Sequence, residues 1–209
     1  MTKDGRVAGA GGSASAGRVI AGTARGTRLL APGPGTRPFS DRVKQALFAI
    51  LEPHLRGGAV LDLFAGSGAG GIEALSRGAV GATFVEHDAD AIAVLRENLE
   101  RTHLAGPSAT IIRADAIGWL ERTDGPGRGP FSIVLIDPPY DRPELLAGAL
   151  ARLGQDGAIL VPRAIVIAKH FWRDPPADRI GLLASFRTRR FGETTLTFCQ
   201  VAESPEVRT

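Results

Sequence analysis

From Ala59 onward, short apolar runs alternate with longer segments whose apolar residues recur at helical spacing. The runs Ala59–Phe64, Ala82–Glu86, Ala109–Arg113, Phe131–Ile136 and Ala164–Ala168 predict strands. Between them, Gly70–Arg77, Ala89–Arg101, Ala116–Arg122 and Glu144–Leu153 predict helices. Strands joined through helices lie parallel, with the helices packed on both faces of the sheet. After Pro175-Pro176 the period changes, because Leu182–Arg190 and Thr194–Val201 flank the short turn Phe191-Gly192-Glu193 and so must pair antiparallel. The expected fold is α/β: a doubly wound, mostly parallel seven-stranded sheet with an antiparallel C-terminal strand.

Upstream, Arg18–Ala21 and Thr27–Leu30 read as a hairpin turning near Ala24-Arg25-Gly26. A Pro/Gly link at residues 32–35 follows, and Ser40 then reads as the N-cap of a helix over Asp41–Leu51. On that helix Val43, Leu47, Ile50 and Leu51 share a face, with Arg42 and Lys44 expected to lie off it. This divides the chain into a disordered tail (residues 1–17), a hairpin and linker (18–36), a main domain (37–203) and a short tail (204–209).

Composition narrows the class. The 209 residues suit one principal domain. The single cysteine, Cys199, excludes an internal disulfide and a cysteine zinc site, and fits a reducing compartment. No run reaches membrane-spanning length and Met1–Gly17 lacks the apolar core of a signal peptide, so a cytoplasmic protein with no membrane partner is expected, and no metal ligands are assigned. The net charge is only +3, but up to Lys44 the acids are Asp4 and Asp41 alone, whereas the bases include Arg18, Arg25, Arg28, Arg37, Arg42 and Lys44. Such an arm could follow the phosphates of a nucleic acid, or simply be a solvated tail.

The candidate chemistry sits at predicted strand tips, the ligand edge of an open parallel sheet. Asp137-Pro138-Pro139-Tyr140 follows the run Phe131–Ile136 and offers a rigid slot for something planar: a carboxylate, two prolines and an aromatic ring. Between the first core strand and its helix, Asp62-Leu63-Phe64-Ala65-Gly66-Ser67-Gly68 lets the backbone approach a ligand at a helix N-terminus. Gly66, Gly68 and Gly71 match a dinucleotide pattern, and Glu86 ends the next strand at the spacing of a ribose-binding acid, so a nicotinamide or flavin enzyme is a rival reading. Asp62 separates the two, because a carboxylate there repels a pyrophosphate and attracts the ammonium and sulfonium of S-adenosylmethionine. Asp115, before Ala116, could accept from an adenine amino group or cap its helix, and both can hold. His87 could edge the same pocket.

These motifs come with Arg18–Gly22, Arg37-Pro38-Phe39-Ser40-Asp41-Arg42-Val43, Glu73–Ala79, Phe84-Val85-Glu86 and Arg190-Phe191-Gly192-Glu193-Thr194. Together they resemble the class I S-adenosylmethionine-dependent methyltransferases that modify exocyclic amino groups, and within them the RsmD family, which methylates the 2-amino group of a guanine in small-subunit (16S) ribosomal RNA. The resemblance spans Arg18 to Val201 and implies a Rossmann-like methyltransferase sheet. It also implies S-adenosylmethionine as cofactor, and as partner ribosomal RNA or an assembling small ribosomal subunit, met by a monomer. By resemblance, Asp62, Phe64, Gly66 and Gly68 surround the methionine part, Glu86 holds the ribose hydroxyls and Asp115 the adenine, with Ser67, His87 and Ala116 as further cofactor-binding candidates. Arg37 and Ser40 fold back beside the cofactor, and Arg18, Arg25, Arg28, Arg42 and Lys44 touch RNA. Asp137, Pro138, Pro139 and Tyr140 form the catalytic slot.

Two departures stand out. Ala168-Lys169-His170 occupies the place of a common family Glu, and Gly70 replaces a larger apolar residue, which is expected to loosen packing. Neither is expected to touch the slot. The other readings are a DNA amino-group methyltransferase with the same slot, the nicotinamide oxidoreductase, and a ribosome-assembly binding module.

Overall fold

A computed structural model describes residues 15–33, 40–122, 124–125, 127–155 and 159–201. Its elements are β1 (Ser15–Arg18), β2 (Arg28–Leu30), α1 (Asp41–Leu55), β3 (Ala59–Leu63), α2 (Ala69–Ser76), β4 (Gly81–Glu86), α3 (Ala89–Arg101) and β5 (Ala109–Arg113). They continue through α4 (Ala116–Glu121), β6 (Phe131–Ile136), α5 (Pro143–Gln155), β7 (Leu160–Phe171), β8 (Arg179–Ile180), β9 (Leu183–Phe191) and β10 (Thr194–Val201). The main sheet runs β5-β4-β3-β6-β7-β10-β9-β8. Strands β3 to β7 pair parallel, and β10, β9 and β8 complete the sheet antiparallel. No helix among the described residues is long and apolar enough to cross a membrane.

The expected seven strands are present with an eighth, β8, whose two residues are too short for a sequence period to announce. Strand β7 reaches Phe171, beyond its apolar run, because β10 pairs with it residue for residue from Thr194↔Phe171 to Gln200↔Ile165. Helix α1 continues through Pro53 to Leu55: Leu51 and Leu55 are fully buried, and that packing outweighs the backbone bond the proline forfeits. Alternation along the strands divides the core. In β6, Ile133 and Leu135 face α1, α2, α3 and the hairpin, while Val134 and Ile136 face α4 and α5.

The N-terminal arm differs most from its expected form. Strand β1 begins at Ser15, inside the expected tail, and ends at Arg18, where the first strand was expected to start. Val19 still bonds across the turn, donating to the Thr27 carbonyl and accepting from Gly26 N–H at 2.9 Å each, but the residues after it bond to α2. Ile20 and Ala21 donate their N–H groups to the Glu73 carboxylate at 2.8 and 3.1 Å, and Thr23 N–H donates to the Ser76 carbonyl at 2.8 Å. Gly22 makes this approach possible, since it has φ +86° and a Cβ there would lie 1.7 Å from the Ser76 carbonyl oxygen.

Lys44 corrects the sequence expectation. It is fully buried, its Nζ donates to the Arg18 carbonyl and lies 3.9 Å from Glu73, and burial pulls its pKa down against the pull of Glu73 and Asp41. It is therefore no RNA contact. It tethers the arm to α1, and Arg77 completes the cluster by donating to Glu73 at 2.8 Å.

Glu73→Ala would leave Lys44 and two arm N–H groups facing an uncompensated site. We expect a loss of about 3–5 kcal/mol in denaturant unfolding, with earlier proteolytic cleavage in the arm than in the sheet. An unfolding midpoint equal to wild type would contradict the anchoring role.

Candidate active site

The loop from β3 to α2 is shaped by left-handed backbone at Phe64 (φ 61°), Gly66 (φ 53°) and Gly68 (φ 77°). Phe64 is a residue type that seldom adopts this conformation, a mark of functional constraint. Gly68 has a second reason to be glycine, because a Cβ there would lie 2.2 Å from Leu95 Cδ1. Asn98, which the sequence reading passed over, pins this loop to the arm: its side-chain amide donates to the Ser67 carbonyl at 2.9 Å and exchanges bonds with both backbone groups of Leu30. It is fully buried on α3, and only its polarity at an otherwise apolar helical position could have signalled it.

Gly70 was expected to loosen packing, and the structure overturns this. A Cβ at Gly70 would sit 2.6 Å from Leu135 Cδ1 and 3.2 Å from Asp62 Oδ2, so neighbours already fill the space.

Asp62 is 3% exposed and accepts the Gly71 N–H at 2.7 Å. Its pKa is raised to about 7, first by loss of water and then by the nearby Asp137 and Glu86 carboxylates, with the Gly71 bond opposing. A cation placed beside it would relieve that cost. Glu86 is also buried, and its oxygens accept N–H groups from Gly66 (2.9 Å), His87 (2.8 Å) and Asp88 (2.9 Å), so it holds the loop before it holds any ligand. His87 is an exposed ring 3.0 Å from that carboxylate. Asp115 caps α4, accepting the Gly118 N–H at 2.8 Å, with Ala116 buried behind it. Ser40 is the expected N-cap of α1, accepting from Val43 N–H at 3.3 Å, and Arg37 lies outside the described residues.

The slot stands at the tip of β6. Ile136 pairs with Ala168 across to β7, so the next residues, Asp137 and Lys169, are lateral neighbours. Lys169 Nζ lies 2.7 Å from both Asp137 carboxylate oxygens and 5.3 Å from the Tyr140 ring centre. The departure at residues 168–170 therefore does touch the slot, contrary to expectation. The lateral register is what sequence spacing alone misses. The Tyr140 hydroxyl and Thr194 Oγ1 are 2.8 Å apart, which fixes the ring between β6 and β10. A cavity of about 480 Å³ opens beside Pro138, Pro139, Tyr140 and Lys169 toward α5, a size typical of ligand sites. Among the described residues no group of three or more His, Cys, Asp or Glu could hold a metal ion.

Arg18, Arg25, Arg28 and Arg42 are exposed as expected, although Arg18 also pairs with Asp41 at 2.9 Å.

Residues 17–200 match the model of the family described as Conserved hypothetical protein 95. The chain belongs to this family. It is also similar to curated relatives. One is YlbH of Bacillus subtilis, described as a candidate rRNA methyltransferase, at 36% identity over 178 residues that cover 85% of this chain and 95% of that one. Another is Ribosomal RNA small subunit methyltransferase D of Escherichia coli, 41% identical over 126 residues, which are 60% of this chain and 61% of that protein's length. Among solved structures, yhhF of Escherichia coli, described as a candidate methyltransferase, superposes with a TM-score of 0.76 at 31% identity, covering 90% of this chain and 98% of that one. The RsmD-family resemblance and the Rossmann-like α/β fold read from the motifs are borne out.

Because the folded pKa of Asp62 lies above its unfolded value, the native state binds the extra proton and loses stability as pH rises. We expect unfolding free energy to fall by up to about 4 kcal/mol between about pH 4 and pH 7 on this account. Asp62→Asn should flatten that decline. An unchanged pH profile in the variant would show that the burial of Asp62 carries no such cost.

Proposed function

We propose that this protein transfers a methyl group from S-adenosylmethionine to the 2-amino group of a guanine in small-subunit (16S) ribosomal RNA, acting in the cytoplasm on the RNA or an assembling subunit. The observation that carries the reading is the slot: Asp137 held at the tip of β6 by Lys169, with Tyr140 fixed beside it and the buried Asp62 one strand away.

The residues present suit the cofactor. The turn at Gly66 and Gly68 and the carboxylates of Asp62, Glu86 and Asp115 would hold its methionine, ribose and adenine parts. When bound, S-adenosylmethionine supplies an electrophilic methyl on a sulfonium. The chain does the rest. A guanine amino group is a weak nucleophile because its lone pair is shared with the ring. Acceptors on its hydrogens favour the tetrahedral geometry needed for attack, and the Asp137 carboxylate and Pro138 carbonyl are those acceptors. Lys169 spends two donors on the Asp137 oxygens, which fixes the carboxylate plane and leaves its other lone pairs for the amine. Tyr140 offers a ring face to the base, and positioning the amine in line supplies much of the acceleration. Proton loss follows transfer. A paired guanine hides this group, so the target base must be unpaired or turned out of its helix.

Tritiated S-adenosylmethionine offered with 16S ribosomal RNA should label the RNA and leave duplex DNA unlabelled. Asp137→Ala should lower that rate at least about 100-fold with cofactor affinity kept. Full activity in the variant, or label in DNA alone, would overturn the reading. The elevated pKa of Asp62 adds a second test. Cofactor affinity should rise about tenfold per unit as pH approaches 7 from below and level off above it, with Asp62→Asn removing the dependence. NADH binding in place of S-adenosylmethionine binding would favour an oxidoreductase.

A further inference from the structure

Beyond the slot, we infer that Trp172 and the exposed stretch of β9 form a second RNA-binding surface, which grips phosphates of the single strand next to the target base. The inference rests on the ribosomal RNA reading above.

Trp172 follows the last residue of β7, and two guanidinium groups lie over its indole: Arg190 at 4.0 Å and Arg173 at 4.8 Å from the ring centre. The platform is fixed to the β9–β10 turn, because Trp172 N–H donates to the Glu193 carbonyl at 3.0 Å and Arg190 Nε donates to the Gly192 carbonyl at 2.9 Å. It is also continuous with the slot. The Tyr140 and Phe171 rings are 6.5 Å apart and the Phe171 and Trp172 rings 6.1 Å apart, and Tyr140 bonds to Thr194 just after the same turn.

Arg187, Thr188, Arg189 and Arg190 are all exposed. β8 pairs only with Leu183 and Ala184, so among the described residues this part of β9 carries no strand on its outer side. An arginine stacked on an indole loses less freedom when its remaining donors meet a phosphate, and its planar fork fits one. Trp172 thus acts as the template that holds two phosphate grips at a set distance from the slot. The same charges also discourage pairing of a bare strand edge with another chain, so the test must read RNA directly.

The probe is a fluorescein-labelled oligouridine of about 20 nucleotides, which measures phosphate grip without base readout. Arg173→Gln/Arg190→Gln should weaken its binding about tenfold and reduce the slope of log affinity against log salt by about 1.4, at about 0.7 per lost contact on a single strand. For 16S RNA methylation, KM should rise by a similar factor with kcat and cofactor affinity unchanged. If this pair lowers the melting point, the single variants Arg173→Gln and Arg190→Gln are each expected to weaken binding about threefold and reduce the slope by about 0.7. Wild-type affinity and slope in the double variant and in both single variants, with the wild-type enzyme methylating RNA, would overturn this inference and leave the functional reading standing. A wild-type protein that methylates no RNA would fail that reading instead. Polyglutamate bound more tightly than oligouridine, and lost with the same variants, would assign the surface to an acidic protein and also overturn the inference.

Discussion

Asp62 sits out of water at the end of β3 and takes the Gly71 N–H at 2.7 Å, so the turn into α2 depends on a carboxylate that water does not stabilise. The cost shows as the raised pKa. It is tolerated because a neutral or cation-paired Asp62 is comfortable there, and because Glu86, taking three backbone N–H groups, holds the other side of the same loop. Gly68, Gly70 and Gly71 are each packed so closely that a Cβ would meet Leu95, Leu135 or Phe84 within about 2.6 Å, which leaves the loop one conformation. The site is thereby rigid before any ligand arrives, the condition under which charge placement contributes most to catalysis.

The arm obeys the same logic of buried charge answered by backbone. Glu73 takes the N–H groups of Ile20 and Ala21, Lys44 donates to the Arg18 carbonyl, and Asn98 ties Leu30 to the Ser67 carbonyl of the β3–α2 loop. The exposed arginines of the arm are consequently mounted on the body of the enzyme. Motion of the arm would be felt at Ser67, because Asn98 touches both.

Period and punctuation made most of the fold legible. The limits of α3, β5, β6 and β10 match their apolar runs, and Ser40 and Asp115 cap their helices as their positions before apolar segments foretell. The readings that failed share a cause, which is contact between residues far apart in the chain. Lys44 looked like a surface base because nothing local shows that Glu73 and the Arg18 carbonyl close over it. Gly70 looked like a loss of packing because Leu135 comes from a distant strand. Lys169 looked remote from Asp137 until the β6–β7 register set them side by side. Arg187 to Arg190 were read as strand, and their exposure depends on β8 stopping short. The motifs named the candidate site, whereas the partners that orient its side chains belong to tertiary structure.

Delivery of a methyl group from the Asp137 slot to a guanine 2-amino nitrogen, as proposed, leaves a chemical mark that can be read in the RNA itself. The most direct measurement is mass spectrometry of nucleosides from 16S ribosomal RNA of cells lacking this protein, before and after incubation with the purified enzyme and S-adenosylmethionine. The expected result is a gain of one N2-methylguanosine per RNA molecule on incubation. Methylation at another atom, or of adenosine, would contradict it.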